Sequence, residues 1–331
     1  MNSRTMASRI LITGATGFVG RHLIAILRPA ARRTPFEIFG TCFPEHPEHC
    51  ADLCAGAPDL KLIHLDLRSE NAVTGLLKDV RPDRVFHLAA ISHVQTSWDK
   101  RRETLETNLM GSFFIFEGVR RHAPKARVLT ISSSDVYGYL KPGRRSRAYR
   151  EEEREGVVSP YAFTKVAGEL LAEFYALREK LSVVVARPFP HTGPGQTADF
   201  VCSDWARQIA QVEKNTAPPV IGVGNLEPRR DYSDVRDVVR AYDLLMRKGR
   251  AGEVYNVSSG TATSLKSILR TLLSFSARTI DVRIDPAKLR KGDLPFLAGS
   301  NRKIREATGW VPRIPLMQTL RDLVDDWRKK V

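Results

Sequence analysis

Apolar positions in the first half of the chain fall into short β-branched runs separated by longer stretches with helical spacing. Residues 9–13 (RILIT), 36–41, 60–66, 84–90, 127–133 and 181–188 read as strands. Helical periodicity follows at 21–27, around 73–77, across 105–119 and from Pro160 to Leu177. Strand, helix, strand at this spacing predicts an α/β fold, a doubly wound parallel sheet with helices on both faces. After Pro188 the rhythm breaks. Glycine and proline crowd into PFPHTGPGQ, a helix is expected at 203–212, and a Pro/Gly-rich loop runs to Arg230. Residues 253–259 read as one more strand of the main sheet, with short helices and a strand near 281–284 beyond it. The expected division is a large domain over 1–188, rejoined by a segment near 231–260, and a smaller C-terminal α/β domain over 189–230 and 261–331. No internal repeat is visible.

Composition narrows the class. A chain of 331 residues holds one large core, or one core plus a smaller attached domain. Apolar content of 42% and charged content of 27% are ordinary for a globular protein, so disorder is not the default. No apolar run reaches the roughly 18 residues of a membrane helix, and the opening MNSRTMASR lacks a signal-peptide core. The expected compartment is the cytoplasm. Of four cysteines, Cys42, Cys50 and Cys54 lie near His46 and His49, but the spacing matches no metal-ligand pattern, and no metal is expected. The net charge of +15 invites polyanions. Yet the positive charge is scattered, and its one local run, 141–147, is followed by Glu151, Glu152 and Glu153. No specific nucleic-acid partner is expected; phosphorylated small molecules, or solubility alone, suit the excess.

The first chemical signal is ITGATGFVGRHL. Gly14, Gly17 and Gly20 stand between the first strand and its helix, with Thr16, Phe18 and Val19 completing the turn. Glycines there permit a tight turn, close approach of backbone to a diphosphate, and close packing, while the helix N-terminus offers N–H groups to phosphate. Asp66, closing the third strand beside Leu67, suits either an adenine amino group or a helix N-cap. At the end of the second strand Gly40, Thr41, Cys42 and Phe43 carry no carboxylate for ribose hydroxyls, and no arginine adjoins them. The cofactor is NADP(H) or NAD(H), with a lean to NADP(H).

The second signal is Tyr161 and Lys165, four residues apart on a helix and so on one face. An ammonium one turn away is expected to pull the phenol below its usual value of about 10 and suit it to proton transfer. The third signal is ISSSDVYG, which puts Ser132, Ser133, Ser134 and Asp135 at the carboxyl edge of the sheet. In this order, and over essentially the whole chain, the three motifs resemble the extended short-chain dehydrogenases/reductases. The resemblance implies a Rossmann-type nucleotide-binding domain, Ser133 as the catalytic serine, Tyr161 as acid/base, and Lys165 tuning Tyr161 and holding the nicotinamide ribose. It also implies cofactor contacts from Leu88, Ala89 and Ala90, from Asp66 and Leu67, and from Arg187. Asn108 matches the family's structural asparagine and is grouped with His93, Ser134 and His191 around the sugar pocket.

The C-terminal segments ARPFPHTGPGQ, RRDYSDVRDVVRAY and DPAKLRKGDLPF resemble GDP-4-keto-6-deoxymannose reductases, relatives of GDP-mannose 4,6-dehydratase. By that resemblance Arg230 and Arg290 hold the diphosphate of a GDP-linked sugar, as forked donors suit phosphate oxygens. Dehydratases of the family place glutamate where this chain has Asp135, one methylene shorter, and misplacement by about 1 Å costs on the order of a hundredfold in rate. Reduction is therefore expected over dehydration, with GDP-mannose 4,6-dehydration and nucleotide-sugar epimerisation as alternatives. Pro190 and Lys291 depart from the family pattern. A cofactor-sensing protein without catalysis would be expected to have lost Tyr161 and Lys165, and both are here. The helices at 105–119 and 160–177 are the expected seam of a homodimer. Cell-surface polysaccharide synthesis is the process the resemblance implies.

Overall fold

The computed structural model describes residues 7–31, 36–43, 53, 60–138, 147–153, 156–289 and 294–331. The cluster His46, His49, Cys50 and Cys54, most of the basic run at 141–147, and Arg290 lie outside the described residues.

In chain order the first half runs β1 (Ser8–Thr13), α1 (Phe18–Ala31), β2 (Phe36–Cys42), β3 (Leu60–His64), α2 (Glu70–Val80), β4 (Arg84–His87), α3 (Val94–Asp99) and α4 (Arg101–Leu105). A π turn (Glu106–Met110), α5 (Gly111–His122), β5 (Arg127–Ile131), a 3-10 turn (Ser134–Tyr137), α6 (Pro160–Leu177) and β6 (Ser182–Pro188) follow. The remainder is β7 (His191–Thr192), α7 (Val201–Glu213), β8 (Val220–Val223), β9 (Arg229–Arg230), β10 (Ser233–Asp234), α8 (Val235–Lys248) and β11 (Val254–Val257). It closes with β12 (Thr263–Ser264), α9 (Leu265–Leu273), β13 (Asp281–Ile284), β14 (Phe296–Leu297), α10 (Arg302–Thr308) and α11 (Leu316–Lys330).

The main sheet has the order β11-β6-β5-β4-β1-β2-β3, and β1 to β6 pair in parallel. Because helices cover both faces, central strands are apolar without alternation: Ile10, Leu11 and Ile12 are all fully buried. Helix α2 shows the local logic. Ser69 caps it by accepting from the Ala72 N–H, and Val73, Leu76, Leu77 and Val80 form the stripe it buries. Strand order reverses between β1 and β4, which opens a crevice at their carboxyl ends, where ligands of such sheets bind.

The chain divides into two compact units. The first is Met1–Gly138, Gly156–Arg187 and Val239–Tyr255; the second is Tyr139–Glu155, Pro188–Val238 and Asn256–Val331. The returning segment in this division, Val239–Tyr255, is shorter than the 231–260 read from sequence. Within the second unit α7, α9 and α11 share a core of Trp205, Ile209, Leu269, Leu272, Leu320 and Leu323, beside the parallel pair β8 and β13.

Two helices show features that spacing does not. The stretch 105–119 is one continuous helical run whose ladder widens over Glu106–Met110, where the Gly111 N–H returns to Glu106 O, five residues back. On α6 the apolar stripe that predicts the helix faces outward. Leu170, Phe174 and Leu177 are each about half exposed, whereas Tyr161, Ala162, Thr164, Glu169, Ala172 and Tyr175 form the buried face.

Candidate active site

The cofactor turn is built by backbone constraints. Gly14 adopts φ +70°, and a Cβ there would meet the Ala89 backbone at 3.0 Å. At Gly20 a Cβ would fall 2.7 Å from the Ala15 carbonyl oxygen, so the third glycine lets α1 pack on its own turn rather than on the sheet. Gly17 is exposed, with only the Gly14 oxygen within reach of a Cβ (3.3 Å), which leaves backbone bare where a diphosphate must approach. Thr16, Phe18 and Val19 are partly buried around it. The end of β2 anchors the turn: Ala15 N donates to Thr41 O at 2.9 Å, and Gly14 N donates to Thr41 Oγ1 at 3.3 Å. These residues fit a dinucleotide diphosphate.

Across the sheet Ser133, Asp135, Tyr161 and Lys165 come together in the first unit. Ser159 caps α6 by accepting from Ala162 N (3.0 Å), and Pro160 pre-sets its first turn. That places Tyr161 against the carboxyl end of β5, where its N–H donates to Ser97 Oγ at 3.2 Å. Lys165 Nζ donates to the Ile131 carbonyl at 2.8 Å and stands 5.6 Å from the centre of the Tyr161 ring. The Asp135 N–H donates to Ser133 Oγ at 3.1 Å.

Electrostatics here correct the sequence reading. Burial pushes the Tyr161 phenol well above its ordinary value, the Asp135 charge adds to the rise, and a hydrogen bond with Ser133 opposes it. Burial pulls Lys165 down to about 8, while the Glu169 carboxylate works the other way. Lys165 does not pull the phenol down as expected, because desolvation dominates both groups and the ammonium is directed to a carbonyl. Burial thus favours the protonated form of Tyr161.

Behind this face lies a polar layer whose role the sequence reading missed. Arg187, assigned there to the cofactor, turns inward. Its Nε and Nη2 each donate to Glu169 at 2.8 Å, its Nη1 donates to Tyr137 OH at 2.8 Å, and both members of the ion pair are 1% exposed. Ser132 Oγ also donates to Glu169. The available signal was spacing: Glu169 lies one turn past Lys165. Asn108, grouped with the substrate residues, is likewise a framework residue. It is buried, accepts from Ile91 N at 2.8 Å, and donates to Ile91 O at 3.0 Å and Thr164 Oγ1 at 3.1 Å.

Ala89 N donates to Thr13 Oγ1 at 3.2 Å, so the run Leu88, Ala89, Ala90 lies directly beside the cofactor turn. Both Asp66 oxygens accept from Arg68, which holds the Asp66 carboxyl below its usual range; an adenine amino group would share them, and the N-cap role falls to Ser69 instead. Leu67 is buried against Gly111. Ser134 is buried, and His93 precedes α3 with Nδ1 3.0 Å from Thr96 Oγ1. His191 and Arg230 belong to the second unit. His191 Nδ1 lies 2.9 Å from Phe189 O, and Arg230 donates to the carbonyls of Leu294 (2.5 Å) and Arg229 (3.1 Å). No metal-binding group of three ligands occurs among the described residues, and Cys42 is buried with Sγ 3.5 Å from His64 Nδ1.

Comparison with known proteins gives consistent matches along the chain. The family model described as GDP-mannose 4,6 dehydratase matches residues 11–323. The GDP-6-deoxy-D-mannose reductase of Pseudomonas aeruginosa is 33% identical, over 98% of this chain and 99% of its own. The dTDP-glucose 4,6-dehydratase of Streptomyces niveus is 31% identical, over 97% and 93%. Among solved structures, RMD from Pseudomonas aeruginosa complexed with NADPH superposes with a TM-score of 0.83 at 32% identity, covering 98% of this chain and 99% of that one. A putative epimerase from Burkholderia cenocepacia gives 0.83 at 33% identity, covering 97% and 98%.

Proposed function

The chain belongs to the GDP-mannose 4,6-dehydratase family of extended short-chain oxidoreductases, and from that premise we propose that it reduces the C4 ketone of GDP-4-keto-6-deoxy-D-mannose to give GDP-D-rhamnose. The GDP-linked sugar is the finer part of this reading and rests on the full-length similarity to a GDP-6-deoxy-D-mannose reductase. NADPH is the favoured reductant, since the end of β2 offers Thr41, Cys42 and Phe43 and no carboxylate for a ribose 2′-hydroxyl.

The observation that carries the reaction type is the grouping of Tyr161, hydrogen-bonded to Ser133, with Lys165, whose Nζ stands 5.6 Å from the phenol ring. The turn at Gly14, Gly17 and Gly20 would hold a reduced nicotinamide dinucleotide, which when bound would be the hydride source for C4. Tyr161 gives its proton to the C4 oxygen as charge develops there, and Ser133 Oγ steadies the same oxygen by hydrogen bonding. Lys165, anchored on the Ile131 carbonyl, keeps positive charge beside the phenol while its proton leaves. Asp135, one methylene shorter than the glutamate that dehydratases of the family place there, supports reduction over dehydration.

Two incubations separate the readings, with products followed by mass spectrometry. GDP-4-keto-6-deoxy-D-mannose with NADPH should gain two mass units; GDP-mannose with the enzyme alone should be recovered. Loss of water from GDP-mannose would establish the dehydratase instead.

A second copy of this chain is the proposed partner, supported by the outward stripe of Phe163, Leu170, Phe174 and Leu177 together with Leu105 and Met110. The described residues contain no helix long and apolar enough to cross a membrane. Cytoplasmic work on nucleotide sugars for cell-surface polysaccharides is the setting this reading favours.

A further inference from the structure

We infer that His87 is a positioning residue, a link of fixed direction that ties the cofactor turn to the helix carrying Tyr161. The inference rests on the roles given above to the glycine turn and to Tyr161. His87 ends β4, directly after Val85 and Phe86, which are fully buried apolar residues of the same strand. An imidazole at such a position forfeits hydration, so both of its nitrogens need partners. Both have one. Nδ1 lies 2.8 Å from Thr13 Oγ1, and Nε2 lies 3.0 Å from Ser112 Oγ.

The direction of every bond follows by elimination. The Ser112 hydroxyl has one proton and donates it to the Asn108 carbonyl at 2.6 Å, so it accepts from His87 Nε2. Burial, helped by the nearby Lys165 charge, pushes the imidazole down to about 3, so the ring is neutral and its single proton is the one on Nε2. Nδ1 is then an acceptor, and Thr13 Oγ1 donates to it while accepting from the Ala89 N–H at 3.2 Å.

Each end of this chain reaches a working part of the site. Thr13 immediately precedes Gly14, and Ala89 packs on that glycine. At the other end Asn108, in the π turn, is held to both polar groups of the Ile91 backbone and donates to Thr164 Oγ1. Thr164 Oγ1 in turn donates to the Tyr161 carbonyl at 2.8 Å. Thr13, His87, Ser112, Asn108 and Thr164 therefore form one polar path from the diphosphate turn to the acid/base residue. Each member has only one way to point.

Two substitutions divide the path. Asparagine places its amide about where Nδ1 stood, and glutamine about where Nε2 stood. His87→Asn keeps the Thr13 link and loses Ser112; His87→Gln does the reverse. With GDP-4-keto-6-deoxy-D-mannose as substrate, His87→Asn should lower kcat about fivefold, the scale of one hydrogen bond, with the NADPH Kd changed by no more than about twofold. His87→Gln should weaken NADPH about fivefold and leave kcat at saturating NADPH within about twofold. Equal changes in both parameters for both variants, or no change in either, would overturn the inference. Nitrogen-15 NMR of histidine-labelled wild-type protein supplies the second readout. His87 should show Nε2 protonated and Nδ1 bare, and a protonated Nδ1 overturns the path even if neither variant folds. If the wild type fails to reduce the sugar, only the substrate reading falls, because NADPH affinity and the ring tautomer still decide the role of His87.

Discussion

Glu169→Ala isolates the largest buried electrostatic feature behind the active face. In the wild type Glu169 receives two Arg187 bonds of 2.8 Å plus the Ser132 hydroxyl, and both members of the ion pair are 1% exposed. Removing the carboxylate leaves a guanidinium without its counter-charge in the interior, keeping only Tyr137 of the partners described above. Breaking such a pair costs about 3–5 kcal/mol, and the orphaned Ser132 hydroxyl adds about 1 kcal/mol. Urea unfolding at neutral pH should therefore show a loss of about 4–6 kcal/mol at an unchanged m-value. The companion double variant, Glu169→Ala with Arg187→Met, removes the charge as well as its partner. It should recover more than half of the loss, because coupled neighbours are not additive. A loss under about 1 kcal/mol in Glu169→Ala, or simple addition in the double variant, would refute the reasoning.

Gly20→Ala should raise the NADPH Kd by tenfold or more in a fluorescence titration, since its Cβ would meet the Ala15 carbonyl oxygen at 2.7 Å and push the turn open; an unchanged Kd contradicts this. Acid should destabilise the protein through His87, whose folded value of about 3 lies below its ordinary 6.5. The unfolded chain binds a proton there that the folded one does not, so stability is complete above about 6.5 and falls by about 1.4 kcal/mol per pH unit toward 3. Urea midpoints near pH 7 and pH 5 should show this slope in the wild type and not in His87→Gln; equal slopes contradict it. Phe174→Glu with Leu170→Glu should convert a dimer to a monomer by light scattering, and a retained dimer removes α6 from the seam.

The parts of the fold that were legible before the structure are those set by local spacing. The β-branched runs became β1 to β6 because a parallel sheet covered on both faces needs apolar residues at every position. The glycine turn was legible because Gly14 and Gly20 have no room for a side chain, and the sequence shows that directly. Periodicity on α6 gave the helix but not its orientation: a stripe of Leu170, Phe174 and Leu177 looks the same whether it meets the core or another surface. Arg187 was misassigned because its partner Glu169 lies on a different element, and only the packing of β6 against α6 brings them together. The same holds for His87, whose partners Thr13 and Ser112 are 74 and 25 residues away. The Tyr161 ionisation was misread because proximity to Lys165 is visible in a sequence and burial is not.

One isotope experiment goes to the core of the proposed chemistry. GDP-4-keto-6-deoxy-D-mannose is incubated with NADPH carrying deuterium at the transferred position, using the wild type and Tyr161→Phe. The wild type should yield a GDP-6-deoxyhexose with one deuterium at C4, and the variant should bind NADPH but form no product. A wild type that leaves the ketone unreduced, or a Tyr161→Phe enzyme that reduces it at the normal rate, would contradict the assignment of Tyr161 as the proton donor in a C4 reduction.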